Sequence, residues 1–360
     1  MKGLSSHKLR RAGVAIRRYG IGFLAASALG FAPAAPAQDK HPQAQTFEEF
    51  LNGPEGAILD SQRNSQMAGD PVPEQFRRQL FAVAPQSQGR IGVAALDLTT
   101  GRTVSIQGNE PFPMASTSKI AVAATFLAGV DAGKYSLFDR YPLLVPVASE
   151  PFSSKVAPVR KGEMMSAQTL LERMITRSDN QATDALLAVV GGPQAVNDWV
   201  RKNTGLMNFR IDRDIATLVR DRWEFDLSRH VDVRDSTPPD EMVQLIAGIH
   251  QGKWLSPASR GLLVGAMTRT ITGSTRIKAG LPSGTNFGHK TGTLNKTASD
   301  VGFITMPDGR VVVVAIYVTG QSGPAARNAK IAEITRTLYN GYASAPARHA
   351  ANDNSRLGTN

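Results

Sequence analysis

The chain has 360 residues, of which 41% are hydrophobic and 20% are charged. These proportions are close to the averages of globular proteins and exclude a chain that is disordered throughout. The sequence contains no cysteine and has a formal net charge of +11, so disulfides, thiolate metal sites, a cysteine nucleophile and a lipid anchor on cysteine are excluded.

The first 38 residues have the pattern of a secretory signal peptide. Six Lys and Arg and no acidic residue are followed by the apolar run Ile21–Phe31 and by a cleavage-like site at Ala35–Ala37. We predict cleavage near Ala37, a periplasmic mature protein and the general secretory route rather than twin-arginine export. The run is shorter than the about 20 residues of a membrane span. The remaining 35 basic and 30 acidic residues do not indicate nucleic-acid binding.

The mature chain is predicted to begin with a polar extension over residues 39–72. A helical pattern covers Val72–Val83, and two strands, Ile91–Leu98 and Arg102–Gly108, flank a turn. A long segment with helical spacing follows these elements.

From Ser116 to about Thr270 the apolar spacing is helical, with loops predicted at 140–165 and 208–240. Strands and a last helix follow it: Phe287–Leu294, Val301–Met306, Arg310–Thr319, and Pro324 to about Tyr342. Residues 344–360 are small and polar and are predicted to be disordered.

Strands therefore come from both ends of the chain. We predict an α/β (α+β) catalytic domain over 73–343, with an antiparallel sheet and its terminal helices formed by 73–115 and 275–343. The all-helical subdomain, 116–274, is inserted between them. A cleft between the two parts is the expected place for a site.

Three short motifs contain residue types suited to acyl transfer. The first, Ser116-Thr117-Ser118-Lys119, places a serine and a lysine on one face of a helix. A serine needs a neighbouring base to become nucleophilic, and a lysine whose pKa is lowered by burial can serve. An ordinary helix start explains an isolated match equally well.

The other two motifs are also weak by themselves. Ser178-Asp179-Asn180 between two helical stretches is explained by helix capping, and His289-Lys290-Thr291-Gly292-Thr293 by a strand with a glycine kink. In a functional interpretation, Lys290 binds an anion and Gly292 allows a close backbone approach. The first residues of the serine motifs are 62 residues apart, and Lys290 lies 112 residues after Ser178.

Together, the motifs resemble the S-x-x-K, S-D-N and K-T-G signature of class A serine β-lactamases and penicillin-binding proteins. The flanking segments Phe112–Ala115, Thr176–Ala182, Gly191–Pro193 and Ala279–Pro282 are similar to that family too. The resemblance covers about 73–343. It implies a site between an α/β and an all-α subdomain, which agrees with the order of the predicted elements.

The resemblance also implies which residues perform acyl transfer. Ser116 would attack the β-lactam carbonyl and Lys119 would activate it. Ser178 would pass a proton to the departing nitrogen. The backbone N–H groups of Ser116 and Thr293 would form the oxyanion hole, in which one donor is typically worth about 10²–10³ in rate.

Substrate binding is implied for a second set of residues: Asn180, Lys290, Thr291, Gly292, Thr293, Lys278 and Phe152. Asn180 would hold the side-chain amide of the substrate, and Lys290 with the threonine hydroxyls would bind near its carboxylate. Lys278 is at the position of a carboxylate-binding arginine in some relatives, and Phe152 is roughly at that of an aromatic gatepost. His289 is interpreted as structural.

One loop departs from the family pattern L-D-R-x-E-x-x-L-N. Ile211–Val219 matches it, but Ile215 occupies the position of the glutamate that orients the deacylating water, and Val219 that of the asparagine. The loop is also longer than usual, because Arg213 and Asp235, the ion pair expected to close it, are 22 positions apart.

A second departure lies four residues after Asn180. Asp184 replaces the asparagine that usually faces the glutamate, and the spacing puts it on the same helix face as Asn180. We therefore predict that Asp184 is catalytic in deacylation, with Glu224 or Asp214 as lesser candidates. The alternative is that Asp184 only binds loop backbone.

The predicted function is an exported, monomeric class A-type β-lactamase that uses no cofactor and acts on a small-molecule β-lactam. Two alternatives stay open: a D-Ala-D-Ala peptidase of the penicillin-binding type, or a β-lactam sensor that is acylated without turnover. We predict no nucleic-acid partner and no membrane span in the mature form. The six scattered histidines disfavour a zinc enzyme.

Overall fold

The computed structural model describes residues 72–153 and 155–345. The predicted signal peptide, the extension over 39–71 and residues 346–360 lie outside the described residues. No helix within the described part of the chain is long and apolar enough to cross a membrane.

The five-stranded sheet is antiparallel and has the order β2-β1-β9-β8-β7. Its strands are β1 (Ile91–Asp97), β2 (Thr103–Ile106), β7 (Phe287–Leu294), β8 (Thr297–Thr305) and β9 (Val311–Thr319). The sheet thus combines strands from both ends of the chain, as predicted. The predicted fold class is confirmed.

Two-stranded sheets lie in the intervening segment. One pairs β3 (Phe112–Pro113) with β6 (Ser236–Thr237), and the other pairs β4 (Arg140–Pro146) with β5 (Val159–Ser166). The helices, in chain order, are α1 (Glu74–Val83), α2 (Lys119–Asp131), α3 (Ala167–Thr176), α4 (Asn180–Val190), α5 (Gly192–Thr204), α6 (Ile215–Arg220), α7 (Pro239–His250), α8 (Pro257–Thr268), α9 (Ile277–Gly280) and α10 (Pro324–Ser344).

Both faces of the large sheet are buried, each in a separate hydrophobic core. Along β9, Val312, Val314 and Ile316 pack with α1 and α10, whereas Val313 and Ala315 pack with the helices of the middle segment. This alternation follows from the period of two in a strand. It explains why the sequence of β9 is apolar at every position from Val311 to Ile316.

Several predicted boundaries are wrong. The predicted loop 140–165 contains the hairpin β4–β5, and 208–240 contains α6 and β6. Prolines are uncommon in strands, and the hairpin has a register shift next to one of the two prolines of β4, between Pro142 and Leu144. Val72, assigned to the extension, is buried, and Ser344, assigned to the tail, is in α10.

Candidate active site

The predicted nucleophile, Ser116, lies on a 3₁₀ turn, Ala115–Ser118, directly before α2. Ala115 has a φ of 48°, a region that non-glycine residues rarely adopt and that is frequent at functional sites. Thr117 Oγ1 donates to Met114 O at 2.8 Å, and Ser118 Oγ to Ala115 O at 2.9 Å. The turn therefore uses its other hydroxyls internally and leaves that of Ser116 partly exposed.

Strand β7 packs directly against this turn at Gly292. A Cβ atom on Gly292 would lie 2.4 Å from both Met114 O and Ser299 Oγ, which is closer than van der Waals contact allows. The predicted close approach at Gly292 is thus an approach to the backbone that precedes the nucleophile. It brings Thr291 and Thr293 beside the turn of Ser116.

Lys119 is the first residue of α2 and is fully buried. Its Nζ donates to Ser178 O and to Asn180 Oδ1, both at 2.7 Å, and to Ser178 Oγ at 3.3 Å. Burial lowers the pKa of Lys119 to about 7, although the charges of Asp184 and Asp179 oppose the shift. The amine is thus near its point of deprotonation at neutral pH, as a general base requires.

Ser178 connects the two buried lysines of the site. Lys290 Nζ donates to Ser178 Oγ and to Thr291 O, each at 2.8 Å. Burial holds the pKa of Lys290 well below its usual value, and the charge of Lys119 lowers it further. Because Ser178 Oγ accepts from both lysines, its own proton is available for a bound molecule. Ser178 also has a positive φ, 57°.

Asp179, between the two predicted functional residues of its motif, caps α4. Its Oδ1 accepts the N–H groups of Gln181 and Ala182 at 2.9 and 3.0 Å. Arg173 binds its other oxygen through Nη2 at 2.5 Å. The capping interpretation thus holds for Asp179, and the cap fixes the helix start at Asn180.

The basic residue that reaches strand β7 is Arg276, not Lys278. Lys278 is exposed on α9, whereas Arg276 is buried and its Nη2 donates to Thr293 Oγ1 at 2.6 Å. Nη1 of Arg276 donates to Gly292 O at 2.8 Å. Of the two basic residues, Arg276 is therefore the one that contacts Gly292 and Thr293. The sequence Arg276-Ile277-Lys278 offers two candidates, of which Arg276 precedes α9 and Lys278 lies within it.

Two other predicted residues lie outside the hydrogen-bonded cluster. Phe152 is 57% exposed, and its backbone N–H donates to Asp221 Oδ1 at 3.2 Å. His289 is buried and its Nδ1 lies 2.8 Å from Asp300 Oδ1. The structural interpretation of His289 agrees with this contact.

Asp184 contacts the loop that departs from the family pattern. Its Oδ1 accepts Ile215 N–H at 2.7 Å and its Oδ2 accepts Ala216 N–H at 2.9 Å. Burial raises the pKa of Asp184 to about 7, while these N–H groups and the charge of Lys119 oppose the rise. The carboxyl is therefore buried, close to Lys119 and bound to the first N–H groups of α6.

The lesser candidates are already engaged. Asp214 Oδ1 accepts Thr217 N–H at 2.7 Å and caps α6. Glu224 Oε2 binds Arg234 Nη2 at 2.7 Å. The loop is closed as expected, because Arg213 Nε donates to Asp235 Oδ2 at 2.6 Å.

The structure thus brings most of the predicted residues together: Ser116, Lys119, Ser178, Asn180, Asp184, Lys290, Thr291, Gly292 and Thr293. Such an arrangement has a partly exposed hydroxyl, a buried amine that titrates near neutrality, a second hydroxyl between two lysines and a glycine that allows close packing. These are the components of nucleophilic acyl transfer.

Comparisons with known proteins identify the family that the chain resembles. The model of the β-lactamase enzyme family matches residues 75–342. The extended-spectrum β-lactamase PER-1 of Pseudomonas aeruginosa is 30% identical over 276 residues, covering 73% of this chain and 86% of that protein. For β-lactamase CTX-M-6 of Salmonella typhimurium the identity is 32% over 266 residues, covering 73% and 84%. A solved structure of the ancestral (GNCA) class A β-lactamase, reconstructed for Gram-negative bacteria, has a TM-score of 0.64 at 37% identity, covering 74% of this chain and 100% of that one.

Proposed function

The chain belongs to the β-lactamase enzyme family and is a hydrolase of the class A β-lactamase type, and from this premise we propose that it opens β-lactam rings through an acyl-enzyme on Ser116. The observation that supports the proposal most is the buried contact of Lys119 with Ser178 and Asn180. A lysine whose pKa is about 7 can be a base at neutral pH without a histidine.

In acylation, the neutral amine of Lys119 takes the proton of Ser116 as Oγ attacks the lactam carbonyl carbon. The negative charge that develops on the carbonyl oxygen is stabilised by the N–H groups of Ser116 and Thr293. The carbonyl–nitrogen bond then breaks, and Ser178 donates its proton to the nitrogen. Ser178 recovers a proton from Lys119 or Lys290, both of which donate to its Oγ.

The cations of the site favour an anionic substrate. Lys290 Nζ donates to Ser178 Oγ, and the guanidinium of Arg276 donates to the hydroxyl of Thr293. We infer that the carboxylate of a β-lactam binds the hydroxyls of Thr291 and Thr293 at this end of β7. We assign Arg276, instead of Lys278, as the cation that positions the substrate carboxylate. Asn180 is assigned to bind the amide of the acyl side chain.

Deacylation needs a base that Ile215 cannot provide. We retain Asp184 as the candidate because its carboxyl is buried beside Lys119 and titrates near neutrality. Its two N–H contacts to the loop also give it a positioning role. The catalytic role predicts that turnover depends on the carboxylate of Asp184, whereas the positioning role alone does not, and the substitution described in the Discussion separates the two.

Export completes the proposal. We infer that residues 1–38 direct the chain to the periplasm, on the basis of their charge and apolar pattern. We keep the expectation that the mature protein is a monomer. In the periplasm, an enzyme of this type meets β-lactams before they reach their targets.

The test uses the mature protein with a chromogenic cephalosporin and mass spectrometry. We expect many turnovers and a transient mass increase on Ser116. In Ser116→Ala the increase should be absent while the circular dichroism spectrum is unchanged. Undiminished labelling of Ser116→Ala would overturn the assignment.

One observation favours a second function, a β-lactam sensor or penicillin-binding-type peptidase. Ile215 is buried and its N–H is occupied by Asp184, so the loop position of the family's glutamate offers no base. A single stoichiometric burst without turnover would support this alternative, and hydrolysis of a D-Ala-D-Ala peptide would distinguish the peptidase from the sensor.

A further inference from the structure

A buried acid lies beside the residues to which the substrate carboxylate is assigned. Asp300 is on β8, where it is the register partner of Thr291 on β7, and its side chain is fully buried. Residues paired across two strands point to the same face of a sheet, so Asp300 shares its face with Thr291 and Thr293. A carboxylate in this place repels an anionic substrate, and it takes no part in the acyl transfer proposed for Ser116. The contacts of Asp300 indicate a different use.

Asp300 binds the segment that precedes α9. Its Oδ2 accepts the backbone N–H of Ile277 at 3.1 Å, and Ile277 is the first residue of α9. The preceding residue is Arg276, whose own N–H donates to Gly273 O at 2.9 Å. Two consecutive N–H groups are thus fixed, the first within the segment and the second to the sheet. The hydrogen bond from Ile277 to Asp300 therefore holds the backbone of Arg276 close to β8.

A second contact orients the carboxylate of Asp300. His289 Nδ1 lies 2.8 Å from Oδ1 and 3.1 Å from Oδ2 of Asp300. His289 is buried too, and its carbonyl accepts a hydrogen bond of 2.9 Å from Thr270 Oγ1. Because His289 fixes the orientation of the carboxylate, Asp300 has a defined direction in which it accepts the N–H of Ile277.

The segment before α9 packs closely on the sheet along its length. Gly273 has a φ of 77°, and a Cβ atom there would lie 2.4 Å from Thr291 Cγ2 and 3.6 Å from Asp300 Oδ2. The neighbouring Thr272 Oγ1 is 2.7 Å from Thr291 Oγ1. Residues 272–277 are therefore attached to the sheet at both ends, by a pair of hydroxyls at one end and by Asp300 at the other.

Asp300 also supplies a countercharge to buried cations of the site. Burial lowers the pKa of Arg276, and the charge of Asp300 opposes this shift while that of Arg327 adds to it. Burial and the charge of Lys119 lower the pKa of Lys290, and Asp300 again opposes the shift. An opposite charge favours the ionised form of its neighbour, so Asp300 stabilises the protonated form of both cations.

We propose that Asp300 is a positioning residue: its hydrogen bond to Ile277 N–H holds the guanidinium of Arg276 against β7, where the substrate carboxylate binds. The inference rests on the proposed function. From a backbone held close to the sheet, Arg276 donates to Gly292 O and Thr293 Oγ1. Without the hydrogen bond that backbone moves more freely, and the hydroxyl of Thr293 loses its charged donor part of the time. Asp300 touches no reacting atom, so its loss affects recognition of the carboxylate.

The experiment compares acylation by benzylpenicillin and by its methyl ester, which lacks the carboxylate charge. The second-order rate constant of acylation is measured for both compounds, and the acid-to-ester ratio reports recognition of the carboxylate. We expect Asp300→Val, which suits a strand and accepts no hydrogen bond, to lower this ratio about threefold to tenfold. Asp300→Asn keeps an acceptor for the N–H of Ile277 and should retain most of the ratio. Asp300→Ser has a side chain one bond shorter; it should behave like Asp300→Val and takes its place if that variant does not fold.

A double-mutant cycle tests the route through Arg276. Arg276→Met alone should lower the ratio at least as much as Asp300→Val. In the Arg276→Met background, Asp300→Val should add little, because substitutions that remove the same interaction are not additive. Asp97→Val is the matched control: Asp97 is a fully buried acid on β1 that binds Arg310 at 2.6 Å, so its loss should lower the melting temperature and leave the ratio unchanged.

Three results overturn the proposal but not the proposed function. The first is an acid-to-ester ratio in Asp300→Val equal to that of wild type, and the second is full additivity with Arg276→Met. The third is an equal loss in Asp300→Asn and Asp300→Val, because the charge and not the hydrogen bond would then be responsible. Failure of benzylpenicillin to acylate wild type overturns the proposed function, and this inference with it.

Discussion

The backbone N–H of Ile215 donates a hydrogen bond of 2.7 Å to Oδ1 of Asp184. The next N–H, of Ala216, donates to the other carboxylate oxygen at 2.9 Å. An asparagine side chain has only one acceptor atom and would face one of these N–H groups with its own NH₂. Asp184 thus contacts, through both carboxylate oxygens, the loop segment that carries the other departure from the family pattern, at Ile215.

The first prediction concerns Asp184→Asn. We expect a normal acylation burst, slower later turnover and accumulation of acyl-enzyme in the mass spectrum, because the carboxylate that would serve water is lost. The unfolding free energy should also fall by about 1–3 kcal/mol, since one buried N–H loses its acceptor.

The result separates the two roles of Asp184. Wild-type turnover combined with a lower melting temperature would contradict the catalytic role and leave positioning of α6 as the function of Asp184; Glu224 would then be tested next. If wild type itself never turns over, Asp184 is a structural partner of the loop in a β-lactam sensor or a peptidase.

A second prediction follows from the pKa of Lys119, which is about 7. A general base acts when it is deprotonated, so the acylation rate should rise about tenfold per pH unit below pH 7 and level off above it. Stopped-flow measurement of the acylation rate from about pH 5 to about pH 9 records this rising limb of the pH–rate profile. In Lys119→Ala, acylation should fall by about 10²–10⁴-fold; an unchanged rate would mean that another group is the base.

Asp184→Asn identifies the group that titrates in this limb. The charge of Asp184 raises the pKa of Lys119, so removing the carboxylate should move the limb to lower pH. Disappearance of the limb would instead assign it to Asp184, whose pKa is also about 7.

A third prediction concerns Gly292→Ala. The added methyl group would meet Met114 O and Ser299 Oγ at 2.4 Å, so β7 must move away from the turn of Ser116. We expect a loss of about 1–3 kcal/mol in unfolding free energy, together with slower acylation. Gly261→Ala is the matched control: Gly261 is an exposed position of α8 where an added Cβ would meet no neighbour within 4 Å, and alanine there should be neutral or stabilising.

The fourth prediction compares Arg276→Met with Lys278→Met. Arg276 binds Thr293 Oγ1 and the carbonyl of Gly292, so its loss should weaken the binding of the substrate carboxylate and raise KM, by about tenfold if one charge-assisted hydrogen bond is lost. Lys278→Met should leave the kinetics unchanged because its side chain is exposed on α9. The opposite pattern would restore the assignment made from the sequence.

Local sequence was sufficient for the parts whose physics is local. The run Val311–Ile316 indicated a strand buried on both faces, and the serine and lysine spacing of Ser116 and Lys119 indicated a helix start. The motif order also led to the family. By contrast, the hairpin β4–β5 was missed because its prolines and exposed residues lack a clear period of two.

The side-chain partners were decided by the tertiary structure. Helical spacing predicted that Lys119 would reach Ser116, but its amine binds Ser178 and Asn180, which are supplied by another helix start about 60 residues away. Arg276 and Lys278 are equally basic in the sequence, and only the tertiary structure buries Arg276 against β7 and exposes Lys278. Residue type and spacing thus determined which groups the site contains, whereas burial and direction, which depend on contacts between distant segments, decided what each group can bind and where its pKa lies.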